Sequence, residues 1–541
     1  METANYVETV ENLVDSIKGI LTSAGLGGEA GEYKLVTQSF LYKFLNDKFL
    51  YEAKKLDSQN DYQHIISLSD DDYEMLQLSL GTDSAEIQRK DLIESVYNQQ
   101  NEDNFSEIFD TTLNDIAIDN NDLFSVETAG NTQVRLFDAH LIADNIQDGS
   151  QRDHVARELI KLLASTKFDE SIYAEGFDFF STIFEYMIQD YNKNGGGNYA
   201  EYYTPRTIAK IIADILIGKE NPENVKVYDP AAGSGTLLMN VANKIGVDKC
   251  TVYSQDISQK SSNLLRLNLI LNNLSHSIHN IVQGNTILNN KHPEKMDYIV
   301  SNPPFKLDFS SWRDQVDNLP NSNEIYFAGV PKIPAKKTNS MAIYELFVQL
   351  IINSLSKKGK AGVVVPTGFL TAQSGIDKKI RKYLVDNKMI DTVVSMPSNV
   401  FANTGTNVSV IFFNKAKKDD QVQLIDASKL GEKVKENGLQ RTVLSQDDIS
   451  KIVDTAVERK DVEDFSITVN LKDIKDKNYS FSAGQYFPVK IEYVELTQKE
   501  FQDKILEYQK KLNQYFNDDE YLEKCIKKEL GKLKYEEARI S

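Results

Sequence analysis

Between Val225 and about Asn414, short β-branched runs alternate with amphipathic helical segments, and this rhythm constrains the fold more than any other feature. Strands are expected at 226–229, 249–255, 280–283, 298–301, 359–366, 390–396 and 407–413. Helices are expected at 236–244, 262–272, 341–355 and 378–386. Parallel strands need a crossover between them, so the alternation predicts a doubly wound α/β domain with a mostly parallel sheet. In such sheets ligands bind beyond the carboxyl ends of the strands, where the strand order reverses.

The flanks read differently. At 541 residues the chain exceeds one core, and three regions are expected: a helical N-terminal domain at 1–165, a catalytic domain at 166–430 and a C-terminal region at 431–541. Leu13, Ile17, Ile20 and Leu21, then Phe40, Leu41, Phe44, Leu45 and Phe49, recur at helical spacing. Residues 97–134 are acidic, with no Lys or Arg between Asp91 and Val134, yet contain Phe105, Phe109, Leu113 and Ile116; a packed acidic helical region is expected there. Helical patterns follow at 156–163 and 177–191, the latter stopped by Gly195, Gly196 and Gly197. Near the end, Phe501, Ile505, Tyr508, Leu512 and Tyr515 step by four and three, a stripe suited either to packing on its own domain or to docking on another subunit's helix.

Composition narrows the function. Lys and Arg number 61 against 80 Asp and Glu, a net charge of −19, which argues against unaided binding of nucleic acid. A local basic groove on an acidic body stays compatible with it. Two cysteines, Cys250 and Cys525, make no disulfide framework, and no run is long or apolar enough to span a membrane. The N-terminal residues lack a secretory layout, so a cytoplasmic protein is expected. The six histidines show no metal-ligand spacing, and no metal is expected.

Chemistry concentrates at four strand ends. The first carries Asp229-Pro230-Ala231-Ala232-Gly233-Ser234-Gly235-Thr236, an acid closing a strand before a glycine turn and a helix. No Lys-Ser/Thr follows the glycines, so this is not a P-loop, and the register is not GxGxxG. Asp229 would repel a pyrophosphate but suits a cation. Asp256 closes the second strand, at the spacing where nucleoside-binding folds place a carboxylate for ribose hydroxyls. Asn285 follows the third, within reach of an adenine edge. An adenosine-containing cation, S-adenosylmethionine, fits all three. The fourth strand ends in Asn302-Pro303-Pro304-Phe305. Two prolines fix an extended turn whose carbonyls, with the Asn302 amide oxygen, accept from an exocyclic NH₂, while Phe305 stacks on the ring that bears it. Alone, the glycine segment also suits a structural turn and the tetrapeptide an ordinary proline turn.

Together these segments resemble the γ-ordered N6-adenine DNA methyltransferases. Asn302–Phe305 looks like their catalytic motif and Asp229–Thr236 like their cofactor motif. Glu201-Tyr202-Tyr203-Thr204-Pro205-Arg206 resembles the segment preceding the cofactor strand, and GKAGVVVPTGFL (359–370) and VFANTGTNVSVIFF (400–413) resemble later strands. With its helical flanks, the chain is similar over about residues 35–486 to the modification subunit of type I restriction–modification systems.

The resemblance implies a Rossmann-like S-adenosylmethionine-dependent domain. Glu201 to Arg206, Asp229, Gly233, Ser234, Gly235 and Thr236 would bind the methionine end of the cofactor, and Asp256 the ribose. Asn285 stands where the family generally has Asp, its oxygen expected to accept from the cofactor's adenine amino group. Asn302, Pro303 and Phe305 would hold and polarise an everted adenine, with Pro304 fixing the turn. The implied partners are double-stranded DNA, a specificity subunit, a second modification subunit and, in some assemblies, a restriction subunit. No long module with strands and basic residues is expected after Phe413 to read sequence. A stand-alone DNA adenine methyltransferase, an enzyme modifying protein glutamine or RNA, a dinucleotide oxidoreductase and a scaffold with a degenerate site are the alternatives.

Overall fold

The computed structural model describes residues 2–27, 30–81, 84–128, 130, 132–168, 173, 204–401, 407–436, 439–488 and 498–530. Two compact units divide the chain, Met1–Phe487 and Pro488–Ser541.

The first unit is built on a sheet of eleven strands. In chain order these are β1 (Val126–Thr128), β2 (Gln133–Val134), β3 (Val225–Asp229), β4 (Cys250–Asp256), β5 (Ile281–Gln283), β6 (Met296–Ser301), β7 (Leu355–Pro366), β8 (Ile390–Ser395), β9 (Val408–Asn414), β10 (Gln421–Asp426) and, after a separate hairpin of β11 (Glu432–Glu436) and β12 (Leu439–Val443), β13 (Ser466–Asn470). Their spatial order is β13-β10-β8-β9-β7-β6-β3-β4-β5-β1-β2. The stretch from β7 through β6, β3, β4 and β5 to β1 is parallel, whereas β9 runs antiparallel to both β7 and β8. Chain order runs outward in both directions from β3 and β6, so the crevice lies between their ends.

The seven expected strands are present within a residue or two, except that β7 starts four residues early, at Leu355. Strand interiors such as Val227, Tyr228, Ile299 and Val300 are fully buried, as expected of a sheet covered on both faces. The helix Arg206–Ile217 packs on β7, with Ile208, Ile211, Ile212 and Leu216 buried. Helix and sheet meet tightly at Gly362 of β7, where a Cβ would lie 2.9 Å from Ile212 Cγ2.

Two expectations change. The acidic region is helical over Phe105–Asp119 and Asn121–Phe124, but then contributes two strands, β1 joining the sheet beside β5. The catalytic sheet also runs past the boundary expected at 430, with β10 and β13 carrying it to Asn470. The helical stretch at 177–191 and its glycine stop fall outside the described residues. The N-terminal helices, Glu2–Ser23 and Ala30–Leu56, match the apolar spacing there, with Leu13, Ile17, Phe40, Leu41, Phe44 and Phe49 buried.

Among its described residues, the second unit contains the helix Gln498–Leu530. Phe501, Ile505, Tyr508, Leu512 and Tyr515 are all exposed on it. No described helix is long and apolar enough to cross a membrane.

Candidate active site

A cavity opens at the carboxyl ends of β3, β4, β5 and β6. Its wall brings together Thr204, Asp229, Gly233, Ser234, Thr236, Asp256, Asn285, Asn302 and Pro304. Residues separated by about a hundred positions thus meet at one opening, because parallel strands present all their ends on the same side.

The glycine turn is held from several sides. The Gly233 N–H donates to Asp256 Oδ2 at 2.9 Å, tying the first strand's turn to the second strand's end. Asn268 Nδ2 donates to the Ser234 carbonyl at 3.1 Å, and Thr286 Oγ1 donates to the Pro230 carbonyl at 2.8 Å. Gly233 and Gly235 have φ of +54° and +86°, conformations that favour glycine. Gly235 then starts the helix Thr236–Ile245, and a Cβ there would fall 2.1 Å from Leu265 Cδ1.

Two carboxylates face this space. Asp229 is buried; burial pushes its carboxyl up to about 7, with the Asp256 charge adding to the rise and the Ala231 N–H, donating at 2.9 Å, opposing it. Asp256 is also raised by desolvation, against the N–H groups of Ser258 and Gly233. Among the described residues, none of those lining the cavity is Lys, Arg or His. Two desolvated acids without a basic neighbour in the wall suit a cationic ligand, and each Asp256 oxygen, holding one N–H, has a lone pair left for a hydroxyl. S-adenosylmethionine fits on both counts, being cationic at its sulfonium and amino groups and carrying ribose hydroxyls. Leu237, Ile257, Ile287 and Phe347 supply apolar wall.

At the other side, Asn302 Nδ2 donates to Thr204 Oγ1 at 3.1 Å. That bond orients the amide and leaves Oδ1 as the acceptor available to a ligand. Thr204, expected only at the cofactor, therefore touches the catalytic motif as well. Pro303 is buried, Pro304 exposed and Phe305 half-buried. Neither Pro303 nor Phe305 lines the cavity; the Phe305 ring stands edge-on to Tyr344, centroids 6.3 Å apart, and the Tyr344 hydroxyl donates to Asp377 Oδ1 at 2.7 Å.

Asn285 departs from expectation. Its Oδ1 accepts from the N–H groups of Ile287 at 3.1 Å and Leu288 at 3.2 Å, so the oxygen closes a turn. Both lone pairs are used, and the amide NH₂ is the group left for a ligand. Pro205 and Arg206 open the helix Arg206–Ile217 and do not line the cavity, nor does Gly235. Glu201, Tyr202 and Tyr203 lie outside the described residues. Sequence reasoning missed Asn268, Thr286, Trp312 and Ile343. Asn268 left a trace, a buried amide within the apolar run of the helix Gln259–Leu271; the others gave none.

An acid-closed strand, a glycine turn and an amide-bearing fourth strand end, around one cationophilic cavity, define an S-adenosylmethionine-dependent methyltransferase acting on an amino group. The model of the N-6 DNA Methylase family matches residues 175–493, and the chain belongs to that family, as an adenine-specific DNA methyltransferase. It is 28% identical over 544 aligned residues to the type I restriction enzyme MpnII methylase subunit of Mycoplasma pneumoniae, covering 96% of each chain. The HindI methylase subunit of Haemophilus influenzae is 26% identical over 73% of this chain and 88% of its own. The fold matches the type I restriction–modification methyltransferase subunit of Streptococcus thermophilus with a TM-score of 0.69, at 20% identity over 89% of this chain and 99% of that one. A modification subunit of a type I enzyme from Vibrio vulnificus matches with a TM-score of 0.55, at 17% identity over 91% and 99%.

Proposed function

We propose that this chain is the modification subunit of a type I restriction–modification complex in the cytoplasm, methylating adenine N6 within a specific DNA sequence. The observation that carries the reading is the shared opening in which the Asn302 amide stands with the carboxylates of Asp229 and Asp256. Similarity to a type I methylase subunit over 96% of both chains supports it.

S-adenosylmethionine supplies an electrophilic methyl group on its sulfonium. Asp229 and the turn at Gly233–Thr236 hold its cationic end, and Asp256 accepts from its ribose. The target adenine must leave the duplex, at a cost of about a few kcal/mol, because its amino group is out of reach in the stack. Asn302 Oδ1, fixed through Thr204, and the Pro303 carbonyl accept the two N6 hydrogens, while Phe305 meets the base face. Holding both hydrogens directs the nitrogen lone pair at the methyl group, so alignment supplies most of the catalysis. No residue of the chain would need to act as a strong base, because N6, made cationic as the methyl carbon leaves sulfur with its bonding pair, would lose its proton to water.

Sequence reading belongs to a separate specificity subunit. The chain's charge of −19 fits that division, and the exposed apolar stripe from Phe501 to Tyr515 gives a helix surface for docking. A second copy of this chain and, in some assemblies, a restriction subunit complete the complex. The helical residues 1–165, the catalytic region and the C-terminal docking region form the working division, with the catalytic sheet running on to Asn470. Mapping N6-methyladenine in DNA from cells with and without this chain, together with identification of co-purifying proteins, tests the reading. Methylation at one sequence motif, with a specificity subunit in the complex, is expected; modified RNA or protein with unmodified DNA would overturn it.

A further inference from the structure

The chain between Glu324 and Glu345 contains no acidic residue, in a protein where acids outnumber bases by 19. It carries Lys332, Lys336 and Lys337, all exposed. None of their ammonium groups makes an ion pair or hydrogen bond among the described residues. Lys306, the residue after Phe305, is likewise exposed and unpaired among them. Elsewhere on this acidic chain some surface lysines do find a carboxylate, as Lys382 does with Asp386 and Lys360 with Glu220.

The segment is a tethered strap. Gln349 fixes its start, accepting from the Ala328 N–H at 2.7 Å and donating to the Gly329 carbonyl at 3.1 Å. Arg313 Nε donates to the Pro331 carbonyl at 3.1 Å. Thr338 donates to Asp308, and the Leu307 N–H donates to the Met341 carbonyl at 3.1 Å. Pro331 and Pro334 stiffen the stretch between these anchors. The last two anchors join the strap to the residues that directly follow Asn302–Phe305, and Leu307 and Ile343 line the cavity itself. Three lysines are therefore held on a preorganised backbone leading to the opening where the base must enter, and preorganisation lowers the ordering cost of binding.

We propose that this strap grips the sugar–phosphate backbone beside the everted adenine, with Lys332, Lys336 and Lys337 on phosphates and Lys306 reaching a fourth. The inference rests on the function proposed above. It assigns this chain its own sequence-independent hold on DNA at the point of eversion, whatever the specificity subunit reads elsewhere.

The test uses the full chain in its purified complex, with K332Q/K336Q/K337Q compared against K357Q/K358Q, a pair exposed near the amino end of β7. Affinity for a labelled duplex is measured across salt concentrations, with S-adenosylmethionine binding as a control for folding. Removing one phosphate-neutralising lysine should reduce the salt slope by about one, so the triple variant should fall by about three and the control pair should match wild type. KM for DNA should rise at least about tenfold while kcat changes less than about twofold. An unchanged slope and KM in the triple variant, with wild type still methylating DNA, would overturn the strap alone. Absence of DNA methylation by the wild-type complex would instead remove the functional reading beneath it.

Discussion

The two sides of the cavity are built on different terms. The cofactor side is closed and cross-tied: Gly233 to Asp256, Ser234 to Asn268 and Pro230 to Thr286. Its carboxylates are desolvated before any ligand arrives. The target side is open, with Pro304 and Leu307 exposed and the Asn302 amide held by one side-chain bond to Thr204. A diffusible cofactor of fixed shape rewards a finished site, because little is left to order on binding. A base swung out of a duplex needs a way in, so its half of the site stays unfinished until the base completes it.

Breaking the target side alone gives the largest effect. Asn302→Ala should lower kcat about 10²- to 10³-fold, the cost typical of removing one preorganised group at a reacting centre, while S-adenosylmethionine affinity holds. Breaking the cofactor side comes next. Asp229→Asn should weaken S-adenosylmethionine about 10- to 100-fold, as calorimetry would read. Because the Asp229 carboxyl is pushed up to about 7, wild-type affinity should climb as pH rises towards 7 and level off above it. The variant should lose that dependence. The sign for stability is opposite: the folded state holds this proton where the unfolded chain has lost it, so apo-protein stability falls as pH rises from about 4 to 7. Gly235→Ala tests how rigid the closed side is; positive φ and the approach of Leu265 should cost about 1–3 kcal/mol in thermal or denaturant unfolding. Thr204→Val has the smallest effect, about 3- to 10-fold on kcat with KM for the cofactor little changed, whereas Thr204→Ser should restore most of the rate.

How much of this could be read in advance follows the same divide. The parallel strands and their acid or amide ends are local signals, set by β-branched runs that break at Asp229, Asp256 and Asn302, and they are legible residue by residue. β1 is not: VET within an acidic stretch becomes a strand only because Glu127 and Thr128 pair with Val282 and Gln283 far along the chain. Asn285 shows the same limit on a smaller scale. Its position after β5 is legible, but its oxygen faces its own backbone, a detail set by how the next turn closes. The strap lysines are visible as charges, yet their attachment to Asp308 and Leu307 depends on tertiary structure. Residues that act on a strand end are thus readable, and residues that act through a neighbour are not.

A bisubstrate adduct, with adenine N6 joined to the methyl-transfer position of the cofactor's skeleton, probes whether the two sides form a single pocket. Calorimetry should find it at least about a hundredfold tighter than S-adenosylmethionine, as linked ligands with matched geometry are. Asn302→Ala should erase that gain, while Asp229→Asn weakens adduct and cofactor alike. An adduct that binds no tighter than the cofactor, or whose affinity ignores Asn302, would contradict the account.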